Sequence, residues 1–316
     1  MRICLMVEGQ EDVGWDDWVA LARACARPGV VARVRADHYA SVAGRDERGS
    51  LDAWTTLAGL AAVTSTLRLG TLVSPATFRH PAVLAKSVVT VDHISGGRVE
   101  LGMGAGWMEA EHERFGFPFP PTRVRMDAFA EQLELVHRQW AGEPFSFAGE
   151  HYRMAGADPR PKPVQSPHPP LIVGGSGGRR SVALAARWAD EYNTVFATPE
   201  TCRALRGRLD EACEREGRAP LPLSVMTGFL VGADRAELLE RARRLVVWQG
   251  RGEHEAESVL ASPPEAGWIV GTPDDAVRQL RALAGAGVER VMLQHLLHTD
   301  LDVLALLGER VAPALR

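Results

Sequence analysis

The chain has 316 residues, 46% hydrophobic and 24% charged, which is the composition of a folded protein with a large core and excludes a disordered one. Its formal charge of −4 makes nucleic acid and anionic membranes poor candidates as partners. The four cysteines are dispersed, and the first apolar run ends at Glu8. We therefore expect reduced packing cysteines, no metal site, no signal peptide and a cytoplasmic protein.

Short apolar runs alternate with longer segments of helical periodicity, which is the pattern of parallel βαβ units. The first four predicted strands are Arg2 to Val7, Val30 to Arg35, Arg68 to Val73 and Arg98 to Met103. One helix begins near Trp15, and Ser50 is the predicted N-cap of the next. A third begins at Pro81 and runs to Ile94, where Gly96 stops it.

A proline-rich stretch from 142 to 170 interrupts the alternation and predicts an insertion after the fourth unit. The other predicted strands are Pro170 to Val173, Glu191 to Phe196, Leu221 to Val231 and Glu289 to Leu293. A second insertion, Gln249 to Glu257, is expected over the barrel mouth. Eight alternating units favour an α/β fold, a (β/α)₈ TIM barrel spanning residues 1–316 as one domain, over an open doubly wound sheet. Functional groups of such a barrel lie on the loops after the strands.

A glycine-rich turn, Gly174, Gly175, Ser176, Gly177 and Gly178, joins the fifth strand to a helix. Such a turn presents backbone N–H groups to an anion, so it predicts a phosphate site to which Arg179 and Arg180 would add charge. A turn that needs glycine only for its backbone angles is the other interpretation.

The same turn matches G-x-S-x-G, the pattern of a serine hydrolase with Ser176 as nucleophile. The candidate acids and bases for that reaction are Asp274, Asp300, His295 and His298. No HGGG-type oxyanion segment precedes the turn, which counts against a hydrolase.

Asp37 and His38 follow the second strand and are the candidate acid–base pair, because an imidazole can take or give a proton near neutral pH while a neighbouring carboxylate sets its tautomer. An unspecialised polar strand end is the alternative. GMGAGW at 102–107 is not a dinucleotide fingerprint, because Trp107 stands where the last glycine is required.

Six segments resemble the luciferase-like monooxygenase superfamily, and within it the branch assigned to the deazaflavin coenzyme F420. They are MVEGQE (6–11), RADHY (35–39), SLDAWTTLAGLAA (50–62), LRLGTLVSPATFRHPAVLAK (67–86), VDHISGGRVELGMGAGWMEAEHERFGFPFPPTRVRMD (91–127) and PPLIVGGSGG (169–178). The resemblance implies an eight-unit barrel, a cofactor ring at the strand ends, a phosphate at the glycine-rich loops and a homodimer.

The resemblance also implies roles for individual residues. Asp37 and His38 would match the family's ring-proximal acid and histidine, and Gly174 to Gly178 its phosphate turn. Leu72, Val73 and Ser74 would match a bulge with a non-prolyl cis peptide behind the ring. Gly104, Gly106 and Glu111 complete the predicted cofactor-binding set. Trp107 stands where some alcohol-oxidising relatives have a catalytic glutamate, which leaves His38 as the main proton-transfer candidate.

The primary hypothesis is therefore an oxidoreductase that transfers a hydride between coenzyme F420 and a small organic substrate, with His38 as general acid or base and Asp37 orienting it. One alternative is an FMN-dependent monooxygenase on the same fold. Another is a non-catalytic ligand-binding barrel. Loops 37–50, 107–120 and 249–268 are expected to shape the substrate site.

Overall fold

The computed structural model describes residues 1–25 and 30–315. Eight parallel strands form a closed barrel in which each strand pairs with the next and the last pairs with the first. They are β1 (Arg2–Val7), β2 (Val30–Arg35), β3 (Arg68–Thr71), β4 (Val99–Gly104), β5 (Leu171–Gly174), β6 (Glu191–Val195), β7 (Leu223–Val231) and β8 (Val288–His295). The predicted (β/α)₈ barrel is confirmed, and each predicted strand lies within a few residues of an observed one.

Helices cover the outside of the barrel. They are α1 (Trp15–Cys25), α2 (Ala53–Val63), α3 (Pro81–Ser95), α4 (Glu109–Phe115), α5 (Thr122–Ala141), α6 (Arg179–Trp188), α7 (Pro199–Arg215), α8 (Arg235–Trp248), α9 (Ala256–Ala261), α10 (Pro273–Ala284) and α11 (Asp302–Leu306). A 3₁₀ turn covers Glu253–Glu255, and a π-helical and a 3₁₀ turn follow α11 at Leu307–Val311 and Ala312–Leu315. In the described part of the chain, no helix is both long and apolar enough to cross a membrane.

Two predicted boundaries are wrong. The N-cap of α2 is Asp52, whose Oδ1 accepts from the backbone N–H of Thr55 at 2.9 Å, whereas the Ser50 hydroxyl accepts from the Arg35 guanidinium. Strand β3 ends at Thr71 instead of Val73, because the Leu72–Val73 peptide is cis and pairing with β4 resumes only in the short strand Ser74–Pro75.

Both predicted insertions are present. The first contains an antiparallel hairpin, Phe145–Ala148 and Arg153–Ala157. The second, predicted as Gln249 to Glu257, contains the 3₁₀ turn and the first residues of α9. The chain then continues beyond the predicted segment to the short strand Ile269–Gly271, which pairs with the carboxyl end of β7. Both therefore add to the barrel without interrupting it.

Alternation along the strands separates two cores. Ile3, Leu5 and Val7 face outward into the cluster beneath the helices. The inner faces form a smaller apolar cluster, which contains Cys4, Met6, Val34, Ala36, Leu72, Ile172, Met226 and Met292. All four cysteines are buried and unbridged, and burial raises the pKa of the Cys4 thiol to about 12, so it behaves as a packing residue.

A buried ion cluster lies inside the barrel near the amino ends of the strands. Arg290 of β8 donates to Glu100 of β4 at 2.7 Å and to Glu191 of β6 at 2.9 Å. All three side chains are buried. Nε of Arg68, the first residue of β3, donates to the other oxygen of Glu100, Oε1, at 2.6 Å. The amino end of the barrel is therefore filled by mutually paired charges, as buried charges require.

Gly102 of β4 provides a test of this packing, since a Cβ at this position would overlap the backbone oxygen of Thr71. We expect Gly102→Ala to lower the free energy of unfolding by about 1–3 kcal/mol, because backbone cannot move aside cheaply. Gly207→Ala, inside α7 with nothing within 4 Å of the new Cβ, is the matched control and should raise it by roughly 0.5–1 kcal/mol. Urea titrations followed by circular dichroism measure both, and equal effects would contradict the prediction.

Candidate active site

An imidazole–carboxylate pair lies at the carboxyl ends of β2 and β4. Nδ1 of His38 is 2.8 Å from Oε2 of Glu111, although the two residues are 73 positions apart. The other oxygen of Glu111 accepts from the backbone N–H groups of Tyr39 and Ala40. Since a carboxylate only accepts, Nδ1–H is the donor, and Nε2 carries the lone pair of the neutral ring.

Glu111 controls the charge of His38 as well as its orientation. Burial lowers the pKa of His38, but the hydrogen bond to Glu111 and its charge outweigh burial, and the pKa is raised. Burial raises the pKa of Glu111, yet His38 and the two backbone donors bring it below its ordinary value. The side chain of Glu111 is fully buried, whereas that of His38 is 14% exposed. Both oxygens of Glu111, which the resemblance assigns to the cofactor-binding set, thus face His38 and the backbone that follows it.

Asp37 does not orient His38, contrary to the expectation from the sequence. Neighbouring residues of an extended chain point in opposite directions, and the Asp37 carboxylate faces β3 instead. Its Oδ2 accepts from the Ser74 hydroxyl and from Nη1 of Arg79, each at 2.6 Å. Its Oδ1 is buried and has no hydrogen-bond partner within residues 1–25 and 30–315. An acceptor buried without a donor at a strand end indicates a place for a ligand N–H or O–H group.

Arg79, which the sequence analysis missed, connects Asp37 to a second carboxylate. Its Nη2 donates to Asp52 at 2.6 Å and to the Tyr39 hydroxyl at 3.0 Å. Burial alone would raise the pKa of Asp52, but the Thr55 backbone N–H and the Arg79 charge lower it to about 2. One oxygen of Asp52 therefore caps α2, and the other accepts hydrogen bonds from Arg79 and from Tyr39 in the loop after β2.

The predicted bulge after β3 is present, and the Leu72–Val73 peptide is cis. The Val73 side chain packs onto the backbones of β4 and β5. A Cβ on Gly104 would lie 2.8 Å from Val73 Cγ2, and one on Gly174 would lie 2.9 Å from Cγ1. Ser74 accepts from the Trp54 indole at 3.0 Å while donating to Asp37. Glycine is therefore needed at positions 104 and 174 to make room for the Val73 side chain. This packing requirement is separate from the cofactor contacts predicted for the same two residues.

Gly106 shapes the loop that carries Trp107. Its φ of +81° is in the left-handed region, and a Cβ would meet Thr77 Oγ1 at 2.8 Å. That hydroxyl is 2.6 Å from Nε2 of His112, whose Nδ1 donates to the Met108 carbonyl. The exposed Trp107 ring meets the His38 imidazole edge-on, with centroids 5.6 Å apart.

The glycine turn after β5 leaves several N–H groups unused. Gly175 N–H donates to the Asn193 carbonyl and Gly177 N–H to the Tyr192 hydroxyl. In the described chain, no hydrogen bond is made by the N–H groups of Ser176, Gly178 and Arg179. These donors lie at the amino end of α6, where the helix dipole favours an anion.

Of the two arginines predicted to add charge to this turn, Arg179 is the first residue of α6 and is exposed, whereas Arg180 pairs with Asp127. A third arginine, Arg208 of α7, also reaches the turn, since its Nη2 would be 3.0 Å from a Cβ on Gly177. Arg208 is exposed and has no ion pair or hydrogen bond among the described residues. The sequence holds no local signal for it, because it comes from the next βα unit.

The structure gives the hydrolase alternative no support. Ser176 follows β5, whereas the candidate histidines follow β8, which is not a neighbouring strand. His295 donates through Nε2 to the Asp300 carbonyl at 3.1 Å, and His298 faces Asp17 at 3.9 Å. The carboxylate of Asp300 pairs with Arg241.

Two of the three loops expected to shape the substrate site are in contact. The buried Glu11 accepts from the N–H groups of Val42 and Ala43 and from Arg48 at 2.7 Å. Arg48 lies over the Trp248 ring, 4.3 Å from its centroid, and donates to its carbonyl. A cavity of about 360 Å³ lies between Ala43 and the segment that begins at Trp248.

The chain is similar in sequence to several known proteins. An uncharacterised protein of Mycobacterium tuberculosis is 39% identical over 146 residues, which are 46% of this chain and 50% of that relative, so the match spans about half its length. Pyrimidine monooxygenase RutA of Stutzerimonas stutzeri is 28% identical, covering 84% of this chain and 79% of that protein. F420-dependent glucose-6-phosphate dehydrogenase of Nakamurella multipartita is 29% identical, covering 82% and 81%.

A solved structure has the same fold. The coenzyme F420-dependent tetrahydromethanopterin reductase from Methanopyrus kandleri superposes with a TM-score of 0.80 at 20% identity, covering 100% of both chains. The model of the family described as luciferase-like monooxygenase matches residues 3–290. The chain thus belongs to the luciferase-like monooxygenase family.

Proposed function

We propose that this protein is an oxidoreductase that transfers a hydride between coenzyme F420 and a small organic substrate, with His38 exchanging the accompanying proton. The observation that carries the proposal is the His38–Glu111 pair at the barrel mouth. A substrate that gives up a hydride also releases a proton, and a substrate that accepts a hydride takes one up. The imidazole of His38 can accept the proton in the first case and donate it in the second.

The residues at the strand ends fit an anionic, ring-bearing cofactor. Among the described residues Asp37 Oδ1 is a buried acceptor without a donor, and Ser74, which follows Val73 in the bulge, donates to the other oxygen of the same carboxylate. The N–H groups of Ser176, Gly178 and Arg179, with Arg208, are donors suited to a phosphate. When bound, the deazaflavin would supply the hydride donor or acceptor.

His38 performs the proton transfer in this proposal through Nε2. Glu111 occupies Nδ1 and holds the ring in one tautomer, so only Nε2 is left to accept a proton from a substrate hydroxyl or to return one. The hydrogen bond to Glu111 and its charge raise the pKa of His38, so they favour the protonated ring that a proton transfer to Nε2 forms. Trp107 covers the edge of the imidazole and limits its contact with water.

An FMN-dependent monooxygenase is the second candidate. It is supported by the similarity to pyrimidine monooxygenase RutA, and FMN also carries a phosphate that would suit the glycine turn. The titration below separates the two candidates.

Titration of the apo-protein with coenzyme F420 and with FMN, followed by fluorescence, tests the proposal. We expect saturable micromolar binding of coenzyme F420, weakened about tenfold or more in Arg208→Ala, because a charge-assisted hydrogen bond to phosphate is lost. Arg203→Ala, on the same helix and paired with Glu200, is the matched control. If the protein bound FMN and not coenzyme F420, the FMN-dependent monooxygenase would replace the proposed function. If it bound neither cofactor, the result would favour a non-catalytic ligand-binding barrel.

A further inference from the structure

Another carboxylate, that of Glu8, lies on the inner face of the barrel mouth. Cys4 and Met6 of β1 face the barrel axis, and Glu8 is the next residue in that alternation. On β8, Gln294 follows the inward-facing Met292 in the same way. Gln294 donates through Nε2 to Oε1 of Glu8, so these two side chains meet at the strand ends where β1 and β8 pair.

Gln10 leaves an unused acceptor beside this carboxylate. Its Nε2 donates to Oε2 of Glu8 at 2.7 Å, which fixes the amide because a carboxylate accepts only from the nitrogen. Oε1 of Gln10 is then the free end. The side chain is completely buried, and this oxygen has no partner in residues 1–25 and 30–315. A buried acceptor without a donor costs free energy that a ligand donor would recover.

Glu8 also differs from most other buried carboxylates in its charge balance. Five of the others have an arginine: Glu11 pairs with Arg48, Asp37 with Arg79, Glu100 and Glu191 with Arg290, and Asp300 with Arg241. Glu111 faces the His38 imidazole and two backbone N–H groups. The Asp92 carboxylate accepts three hydrogen bonds, from the backbone N–H groups of Val164 and Gln165 and from the Gln165 side chain. Glu8 is 5% exposed and, within the described chain, its carboxylate accepts hydrogen bonds only from two neutral amides and has no ion pair. A buried charge of this kind ordinarily has a counter-charge.

We propose that Glu8 and Gln10 bind a protonated or N–H-bearing nitrogen of the substrate. The inference rests on the proposed function, since it places the substrate at the mouth where His38 acts. Glu8 supplies negative charge and spare lone pairs, and Gln10 Oε1 accepts a further N–H. A phosphate or carboxylate at this place would meet the Glu8 charge without a cation to offset it. The preferred substrates are therefore amines or other nitrogen-rich compounds, and sugar phosphates are disfavoured.

The topology of the barrel places this site and His38 on the same rim. Glu8 follows β1 and His38 follows β2, and these two strands pair in parallel, so their carboxyl ends lie side by side. No ion pair joins Glu8 to His38 in the described residues. Burial and Glu111 are the larger influences on the pKa of His38, and the Glu8 charge also raises it. A substrate nitrogen held by Glu8 would leave the neighbouring part of the molecule beside Nε2.

Binding of benzylamine, benzyl alcohol and benzoate, which have one ring and three charges, tests the proposal. Ligand-observed NMR on the apo-protein and on protein loaded with coenzyme F420 gives the three affinities at pH 7. We expect benzylamine to bind at least about tenfold more tightly than benzoate, because a hydrogen bond to a charged group contributes that much. Glu8→Gln should remove most of this preference. Glu150→Gln, an exposed glutamate of the hairpin turn, should leave it unchanged.

The wild-type series needs no variant and decides the question even if Glu8→Gln does not fold. Equal binding of benzylamine and benzoate, or no binding of benzylamine, would overturn the proposal, as would an unchanged preference in folded Glu8→Gln. The measurement on the apo-protein separates this proposal from the proposed function. If the protein did not bind coenzyme F420 but still preferred benzylamine, only the proposed function would be overturned.

Discussion

Replacement of His38 by alanine is expected to lower kcat by about 10²–10⁴-fold in the reaction with coenzyme F420, because it removes a positioned proton donor and acceptor. Only Nε2 of this ring is available for the proton, since Nδ1 is committed to Glu111. We expect the Kd of the cofactor to change by less than about threefold, since the donors proposed for its phosphate belong to the turn after β5. Stopped-flow measurement of cofactor absorbance gives the rate, and equilibrium titration gives the Kd.

His93→Ala is the matched control for this experiment. His93 is an exposed histidine of α3 that contacts the Lys162 carbonyl, away from the strand ends. Its loss should leave kcat within about twofold. If His38→Ala retained full activity with bound cofactor, proton transfer would have to be assigned to another group and the central proposal would fail.

The second large effect is expected for Glu111→Gln, which keeps the volume of the side chain but removes its charge. The amide nitrogen of glutamine would face either His38 Nδ1–H or the N–H groups of Tyr39 and Ala40, so the tautomer of His38 is no longer fixed. We expect kcat to fall by roughly 10²-fold or more, by analogy with loss of the orienting carboxylate in catalytic triads.

The pH profile of Glu111→Gln distinguishes this role from a purely structural one. In the wild type, burial lowers the pKa of His38 and Glu111 raises it above its ordinary value. Without that charge burial dominates, the pKa falls, and the limb of the kcat profile that reports His38 moves to lower pH. A limb that stays in place or moves to higher pH would contradict this assignment.

The strands could be predicted from sequence because each is a short apolar run followed by a helical pattern, and this signal is local. The N-cap of α2 is harder to predict, because Ser50 and Asp52 are both good N-cap residues. Only the position of Ala53 as the first helical residue distinguishes them, and the sequence does not give that position. The predicted end of β3, Val73, lies two residues beyond the observed end, Thr71. Leu72 and Val73 are apolar and continue the strand pattern in the sequence, although the backbone leaves the strand pairing at this point.

The site was less predictable, because its pairs join loops that are distant in sequence. His38 and Asp37 were found from their position after a strand, but the sequence placed the wrong carboxylate on the imidazole. Glu111 reaches it from α4, and Arg79 takes Asp37 instead. Arg208 approaches the glycine turn from a different unit again. Such partners are set by barrel closure, which brings the loops of separate units to one rim.

The ion cluster of Arg290, Glu100 and Glu191 limits access to the proposed site from the amino end of the barrel. Together with the fully buried Cys4, Ile172 and Met292 above it, it fills this end in the part of the chain that the structure describes. In the proposed reaction, substrate and product would therefore enter and leave at the rim, where Trp107 and the Arg48–Trp248 contact lie. A product molecule would then have to depart before the next substrate molecule binds.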